Sequence, residues 1–585
     1  MIRSSRTILR PQAVLIAWAL SGCSAPAPPS SGPAPAAVAA GIPETAPIPA
    51  GRAPTPQEYA SAPDVQHYDV ELALSPDGGP IAARATLTLQ PSGQAPQITL
   101  DFTGLAVQRA LVDGTPVQAT LEGGKLRLPL SDPGNASRVV VIEYSGTPDD
   151  GLIQQANVHG EPTVFADNWP NRARFWFPSV DHPSDRATVR FTVHAPEAWS
   201  VIANGRLEDG PRATAPARLE ALGYPGAAAH RTWVWSTEVE IPAYTMVVGA
   251  GPLVARSVGT AACGRAPASP RSDGCVEVGY WVFPQDTARA APSFRRAAEM
   301  VDYFSSLVGP FPYEKLMNVQ SSTRFGGMEN ASAIFYAENA LARGANIEGT
   351  VSHEIAHQWF GDQATEAEWS HLWLSEGFAT YFGHLFFEHA DGVEDFRRRM
   401  EESRSSYVGS NVVDQPILAP SADLFALLNA NNYPKGGWVL HMLRGLLGDE
   451  AFFGAIRDYY AAFGGGVARS EDLQEVMERH AGQPLGWFFD QWLRKPGYPI
   501  FQTAWSFDAA SGEVVYRVEQ IQKPTWPAFR MPMELEARTT SGPVRHRIQV
   551  EGRITEGRFQ AQGPPTELVV DPDGWILKEL RAGSR

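Results

Sequence analysis

Residues 351–360 read Val351-Ser352-His353-Glu354-Ile355-Ala356-His357-Gln358-Trp359-Phe360. Ile347, Val351 and Ile355 form an apolar stripe at helical spacing, so this stretch is expected to be a buried helix. Histidines at i and i+4 on such a helix lie about 40° apart on one face, one turn apart. That spacing offers two imidazoles to one ion, and Glu354 projects beside the same face, within reach of a water held by it. H-E-x-x-H on a helix is the arrangement of a hydrolytic zinc site. A zinc ion that keeps one position open for water needs a third protein ligand. Glu376 lies 19 residues after His357, within Trp373-Leu374-Ser375-Glu376-Gly377-Phe378-Ala379-Thr380-Tyr381. A second helix carrying Glu376 would fold back to complete the tetrahedron.

Outward from this centre the pattern changes twice. Candidate helices cover about 290–308, 346–360, 372–390, 435–447, 449–463 and 484–493. Upstream, Tyr68, Val70, Leu72 and Leu74 alternate with Asp69, Glu71 and Ala73, and Val189, Phe191 and Val193 repeat the period of two. Downstream, Val514, Tyr516 and Val518 alternate again. The expected architecture is multidomain α+β: an N-terminal antiparallel β domain over 57–253, an α-rich zinc catalytic domain over 254–498, and a small C-terminal β-sandwich over 499–585.

The N-terminus reads as an address. Arg3, Arg6 and Arg10 precede the short apolar run Ala13–Leu20, and Leu20-Ser21-Gly22-Cys23 follows. The apolar run is too short to span a bilayer, and the sequence resembles a bacterial lipoprotein signal over 1–22 with acylation at Cys23. Residues 23–56 are then a linker. From Ser24 to Pro56 there are ten prolines and no aromatic residue, so this stretch is expected to be extended and mobile. Ser24 is not the retention signal of inner-membrane lipoproteins. The expected location is therefore the bacterial envelope, with the folded part lipid-anchored to the outer membrane.

Composition narrows the partners. The chain has 585 residues, 43% of them hydrophobic, which suffices for several cores. Its formal charge of −16 repels phosphate backbones, so no nucleic-acid partner is expected. Of three cysteines, Cys263 and Cys275 flank a loop-like stretch, and in an oxidising envelope a disulfide between them is favoured.

H-E-x-x-H, a gap of 18 residues and then Glu in W-L-S-E-G-F-A is similar to the gluzincin pattern, specifically to the membrane alanyl aminopeptidase family, which includes leukotriene hydrolase. Three further motifs carry the resemblance: Gly326-Gly327-Met328-Glu329-Asn330, Tyr433-Pro434-Lys435-Gly436-Gly437, and Phe177-Pro178-Ser179-Val180-Asp181-His182-Pro183. The likeness runs from about 60 to about 500 and closes on Phe488–Pro499. It implies one zinc per chain on His353, His357 and Glu376. It implies Glu354 as the general base and Tyr433 as a hydrogen-bond donor to the oxyanion. It also implies that Gly326, Gly327, Met328, Glu329 and Asn330 line the substrate, with Glu329 gripping a free α-amino group. The substrates so implied are peptides with a free N-terminus.

The chain also departs from the family. Where many relatives carry a Gln or Glu pair near the amine, Asp167 and Trp169 stand here. Asp167 is expected to contact the amine, and Trp169 to narrow the pocket. Some relatives carry Glu at the position of Gly383, so support for the histidines must come from elsewhere, with Asp362 and Thr380 as candidates. Long relatives add a helical domain where this chain has about 85 β-patterned residues, which implies a less enclosed pocket. Two other classes use the same residues: a zinc hydrolase of other specificity (endopeptidase or epoxide hydrolase), and a non-catalytic envelope binding module. Glu329 argues against the first, and the intact set of ligands, base and tyrosine argues against the second.

Overall fold

Alternation builds the first layer. In the computed structural model, which describes residues 49–54, 56–226 and 228–581, Tyr68, Val70, Leu72 and Leu74 are all fully buried. The first three belong to strand Asp64–Ala73, in the middle of a nine-stranded sheet, and Leu74 follows its end. This strand pairs antiparallel with Ile81–Gln90 but parallel with Arg186–Pro196. The parallel pair departs from the purely antiparallel expectation. Its partners lie more than a hundred residues apart, so a long crossover replaces a hairpin. A four-stranded sheet beside it contains Pro162–Ala166, which delivers Asp167–Arg174 to the next domain.

The second domain pairs a five-stranded sheet with helices. Gly327–Met328 is an edge strand of that sheet, held to Ala333–Ala337 through Gly327↔Tyr336 and Met328↔Phe335. The side-chain face of Gly327 meets helix Glu348–His357. Helix Trp373–Asp391 lies across that helix, and helix Gly436–Leu447 lies across Trp373–Asp391. The approach of the last two rests on paired glycines. A Cβ on Gly377 would meet the Gly436 Cα at 2.8 Å. Helices Val393–Val408 and Ser470–Ala481 fall outside the expected set. The first buries only Phe396, Met400 and Tyr407 and is otherwise laced by ion pairs such as Arg399–Asp395, so its apolar stripe is thin.

The C-terminal residues form two sheets of four and three strands. They face each other through Tyr516, His546 and Phe559, with His546 stacked on Phe559 at 4.7 Å. Trp575 fixes this sandwich to the helices: its ring stacks on His441 at 4.7 Å and covers Gly445. One cluster of buried apolar side chains extends from Val65 to Leu577, and a small second one gathers Ala73, Ala82, Leu219 and Tyr224. Cys263 and Cys275 are joined in a disulfide that closes the loop between strands Val254–Ala261 and Val276–Val282.

Residues 1–22 and Cys23 lie outside the described residues, as does most of the linker. Its end is not an extended tether: Gly51 is buried and residues 50–54 pack on the folded body. Among the described residues no helix is long and apolar enough to cross a membrane.

The glycine contact gives a stability test. Gly377→Ala forces the two helices apart, and overpacking of this kind costs about 1–3 kcal/mol. The thermal midpoint of the folded chain is expected to fall by several degrees, and an unchanged midpoint would contradict the close approach.

Candidate active site

The H-E-x-x-H helix forms where expected, and its two imidazoles converge. His353 Nε2 and His357 Nε2 are 3.0 Å apart. Glu376 comes from the first turn of Trp373–Asp391, and its Oε2 lies 3.2 Å from His353 Nε2 and 3.3 Å from His357 Nε2. Three donor atoms from two crossing helices thus face one point. Glu329, Glu354 and His357 form a second such group on the same pocket.

His357 is oriented by groups that sequence reasoning did not name. His357 Nδ1 lies 3.0 Å from the Phe360 carbonyl and 3.1 Å from the Ser375 hydroxyl. Asp362 does not reach an imidazole; its Oδ2 accepts from Gln358 Nε2 at 2.7 Å. Thr380 packs its methyl against Gly437 instead. At Gly383, where some relatives carry Glu, the two helices touch. A Cβ there would sit 3.2 Å from the His353 amide nitrogen.

The cleft beside the ligands is built around Glu354. Its carboxylate lies against Gly327, where an added Cβ would come within 2.2 Å of Oε1. Only glycine lets the strand approach this closely. Gln358, fully buried, holds the next residues. Its Nε2 donates to the Glu329 carbonyl at 2.7 Å and its Oε1 accepts from the Ser332 amide at 2.8 Å. Glu329 faces the cleft, whereas the Asn330 side chain is buried away from it. The Tyr433 hydroxyl donates to Glu376 Oε1 at 2.7 Å, and its ring lies nearly parallel to His353 at 5.9 Å.

Asp167 departs from its expected role. Its carboxylate is fully buried and bound to Arg172 at 2.7 Å and Arg324 at 3.2 Å, outside the cleft. Trp169 does line the cleft, where it meets Phe325, Trp369 and Phe425 edge-on. Two residues from Asp167 along the chain, an aromatic wall replaces a polar one.

Electrostatics follow from burial. Burial pushes the Glu354 carboxyl well above its usual range, and Glu329 and Glu376 push it further against the pull of His357. Burial likewise raises Glu329 to about 7. Burial also acts upward on Glu376, yet His357 and His353 hold it down to about 2. The pocket therefore carries excess negative character and favours cations.

Comparison with known proteins agrees with this geometry. Residues 293–492 match the peptidase family M1 domain and residues 64–215 match the peptidase M1 N-terminal domain. Together the matches take in more than half of the chain. The chain belongs to peptidase family M1.

Aminopeptidase N of Streptomyces lividans is 24% identical over 89% of this chain and 60% of its own length. Aminopeptidase M1-C of Oryza sativa subsp. japonica is 26% identical over 78% of this chain and 52% of its own. The chain thus spans about half to three fifths of the length of these curated relatives. Among solved structures, the M1 zinc metallopeptidase from Deinococcus radiodurans superposes with a TM-score of 0.63 at 26% identity, covering 74% of this chain and 94% of that one. A mutant of that protein bound to a Tyr-ser-ala substrate superposes with a TM-score of 0.62 at 25% identity over the same shares.

Family M1 implies a catalytic zinc, and the donors present fit it. Two imidazole nitrogens and one carboxylate oxygen converge within 4.8 Å, the donor set of hydrolytic zinc sites, with a cleft on the open side. Ser375 then tests the support of His357. Loss of such an outer hydrogen bond weakens metal affinity about 10–100-fold. Zinc titration of metal-stripped Ser375→Ala is expected to show a weakening of that order, with one site retained; unchanged affinity would contradict it.

Proposed function

We propose that this chain is a zinc-dependent aminopeptidase that removes N-terminal residues from peptides. The observation that carries the reading is Glu329: a carboxylate buried beside the metal-ligand cluster, to which no lysine or arginine among the described residues is paired and on which only the metal-ligand imidazole of His357 acts. A substrate ammonium there gains a charge-assisted bond that a blocked N-terminus cannot make. The open edge of Gly327–Met328 lies beside the same cleft and offers backbone partners to an extended peptide.

His353, His357 and Glu376 would hold the zinc. Bound there, it supplies Lewis acidity to a carbonyl oxygen and acidifies water. Glu354, buried beside the metal ligands, is placed to act as the general base: it takes the proton of the attacking water and passes it to the departing amine. The Tyr433 hydroxyl turns from Glu376 to the oxygen of the scissile carbonyl as negative charge develops there. Trp169, Phe325 and Leu428 supply an apolar wall for the first side chain. Glu329 sets the register, so only the first peptide bond reaches Glu354.

We also read the N-terminus as the lipoprotein signal set out above, with the enzyme anchored through Cys23 to the outer membrane. The Arg-rich start, the short apolar run and Leu20-Ser21-Gly22-Cys23 support this.

Aminoacyl arylamides, each free and N-acetylated, test the activity. Only the free forms are expected to be cleaved, and Glu354→Gln is expected to lose turnover while retaining zinc. Glu329→Gln narrows the difference between free and blocked forms, and Tyr433→Phe lowers kcat about 10²–10³-fold. Equal cleavage of blocked substrates by the unaltered enzyme would defeat the exopeptidase reading.

The anchor is tested separately. Cys23→Ser is expected to move the protein from the membrane fraction to the soluble one; unchanged partition would contradict lipidation at Cys23.

A further inference from the structure

The end of the Pro-rich segment crosses the molecule at an unexpected place. The Gly51 amide donates to Asn171 Oδ1 at 3.1 Å, and Asn171 Nδ2 donates to the Arg52 carbonyl at 3.0 Å. Asn171 belongs to the 167–174 stretch of the N-terminal domain and is 4% exposed. On the other side, the Leu424 amide donates to the Gly51 carbonyl at 2.8 Å and the Ala53 amide donates to the Ala422 carbonyl at 3.0 Å. Arg52 and Asp423 form an isolated antiparallel bridge. The Arg52 guanidinium is spent on Glu58, which fixes the strap to the first helical turn. Residues 50–53 therefore tie the N-terminal domain to the loop at 421–425.

That loop leads straight into the active site. Gly51 lies against the Phe425 ring: its φ is +76°, and a Cβ there would meet Phe425 Cδ2 at 2.4 Å. Phe425 meets Trp169 at 5.9 Å, and the Arg172 guanidinium stands 5.7 Å from the Phe425 ring. Three residues beyond Phe425, Leu428 lines the cleft, and five further on Tyr433 reaches Glu376. Strap, Phe425, Trp169 and cleft are in continuous contact.

We propose that residues 50–53 are a positioning element of the active site, with Gly51 setting the place of Phe425 and through it the Trp169–Leu428 wall that receives the first side chain of the peptide. The assignment rests on the aminopeptidase reading for what enters the cleft, but the tie between strap and loop does not. Because the wall binds the side chain and not the reacting bond, its loss weakens ground-state and transition-state binding alike.

The test uses the full-length zinc-loaded protein. Gly51→Val drives a side chain into Phe425, and Asn171→Ala removes both hydrogen bonds without adding bulk. Each is expected to raise KM for large apolar N-terminal residues about tenfold, with kcat within about twofold and zinc content unchanged. Gly51→Val combined with Phe425→Ala should cost less than the two effects added, since the clash no longer exists. Hydrogen exchange supplies a readout without turnover. The Leu424 amide and its neighbours over 421–428 should exchange faster in both single variants, while the H-E-x-x-H helix keeps its protection. Unchanged KM order among N-terminal residues together with unchanged exchange at 421–428 would overturn the proposal. An equal loss of protection throughout the chain would overturn it as well, by reducing the strap to a general stabiliser. If the unaltered enzyme cleaves none of the substrates, the aminopeptidase reading falls, and the exchange result still decides the strap.

Discussion

Three carboxylates share one small pocket. Glu329, Glu354 and Glu376 are each 5% exposed, and the imidazoles of His353 and His357 are the only basic groups among the residues that line the cleft with them. Burying like charges together is costly unless cations neutralise them. The geometry makes room for two. One is the metal, between His353, His357 and Glu376. The other is an ammonium beside Glu329. Until those cations are in place, burial and the neighbouring carboxylates raise the proton affinity of Glu354.

The fold keeps this arrangement by close backbone contact rather than by added side chains. Gly327 lets the edge strand touch Glu354, Gly383 lets the Glu376 helix touch His353, and Gly377 with Gly436 lets the Tyr433 segment approach both. Gln358 ties the strand to the metal-binding helix from behind, with both ends of its amide used. Each of these contacts removes freedom from a group that must sit within a fraction of an ångström of its working place. The N-terminal strap extends the same logic to the far wall, where Gly51 rests on Phe425.

Much of this was legible in the sequence because it is local. Two histidines one turn apart on an amphipathic helix, and a glutamate beside them, follow from helical periodicity alone. Glu376 is not local to that helix, and the need for a third ligand made it a candidate before the family resemblance assigned it; Glu329 and Tyr433 came from the resemblance alone. Strands with one buried face announced themselves by alternation. What stayed hidden depends on partners remote in sequence. Ser375 looks like any helix-start serine until the crossing angle brings it to His357. Asp167 stands where an amine-binding group was expected, but Arg172 and Arg324 claim it. Residues 50–54 have the composition of a mobile linker because they contribute backbone hydrogen bonds and a glycine, not apolar side chains. The parallel pairing of Asp64–Ala73 with Arg186–Pro196 is likewise invisible to a pattern that reports only which face is buried.

The central claim is that a second cation, the substrate's own ammonium, completes the charge balance at Glu329. Calorimetric binding of a slowly cleaved peptide analogue and its desamino counterpart to the zinc-loaded Glu354→Gln protein measures this directly. A charge-assisted hydrogen bond to a buried carboxylate contributes about 1.5–3 kcal/mol, so the desamino ligand should bind about 10–150-fold more weakly. In a protein that also carries Glu329→Gln, that difference should largely vanish. Equal binding of the two ligands to the Glu329-containing protein would contradict the account.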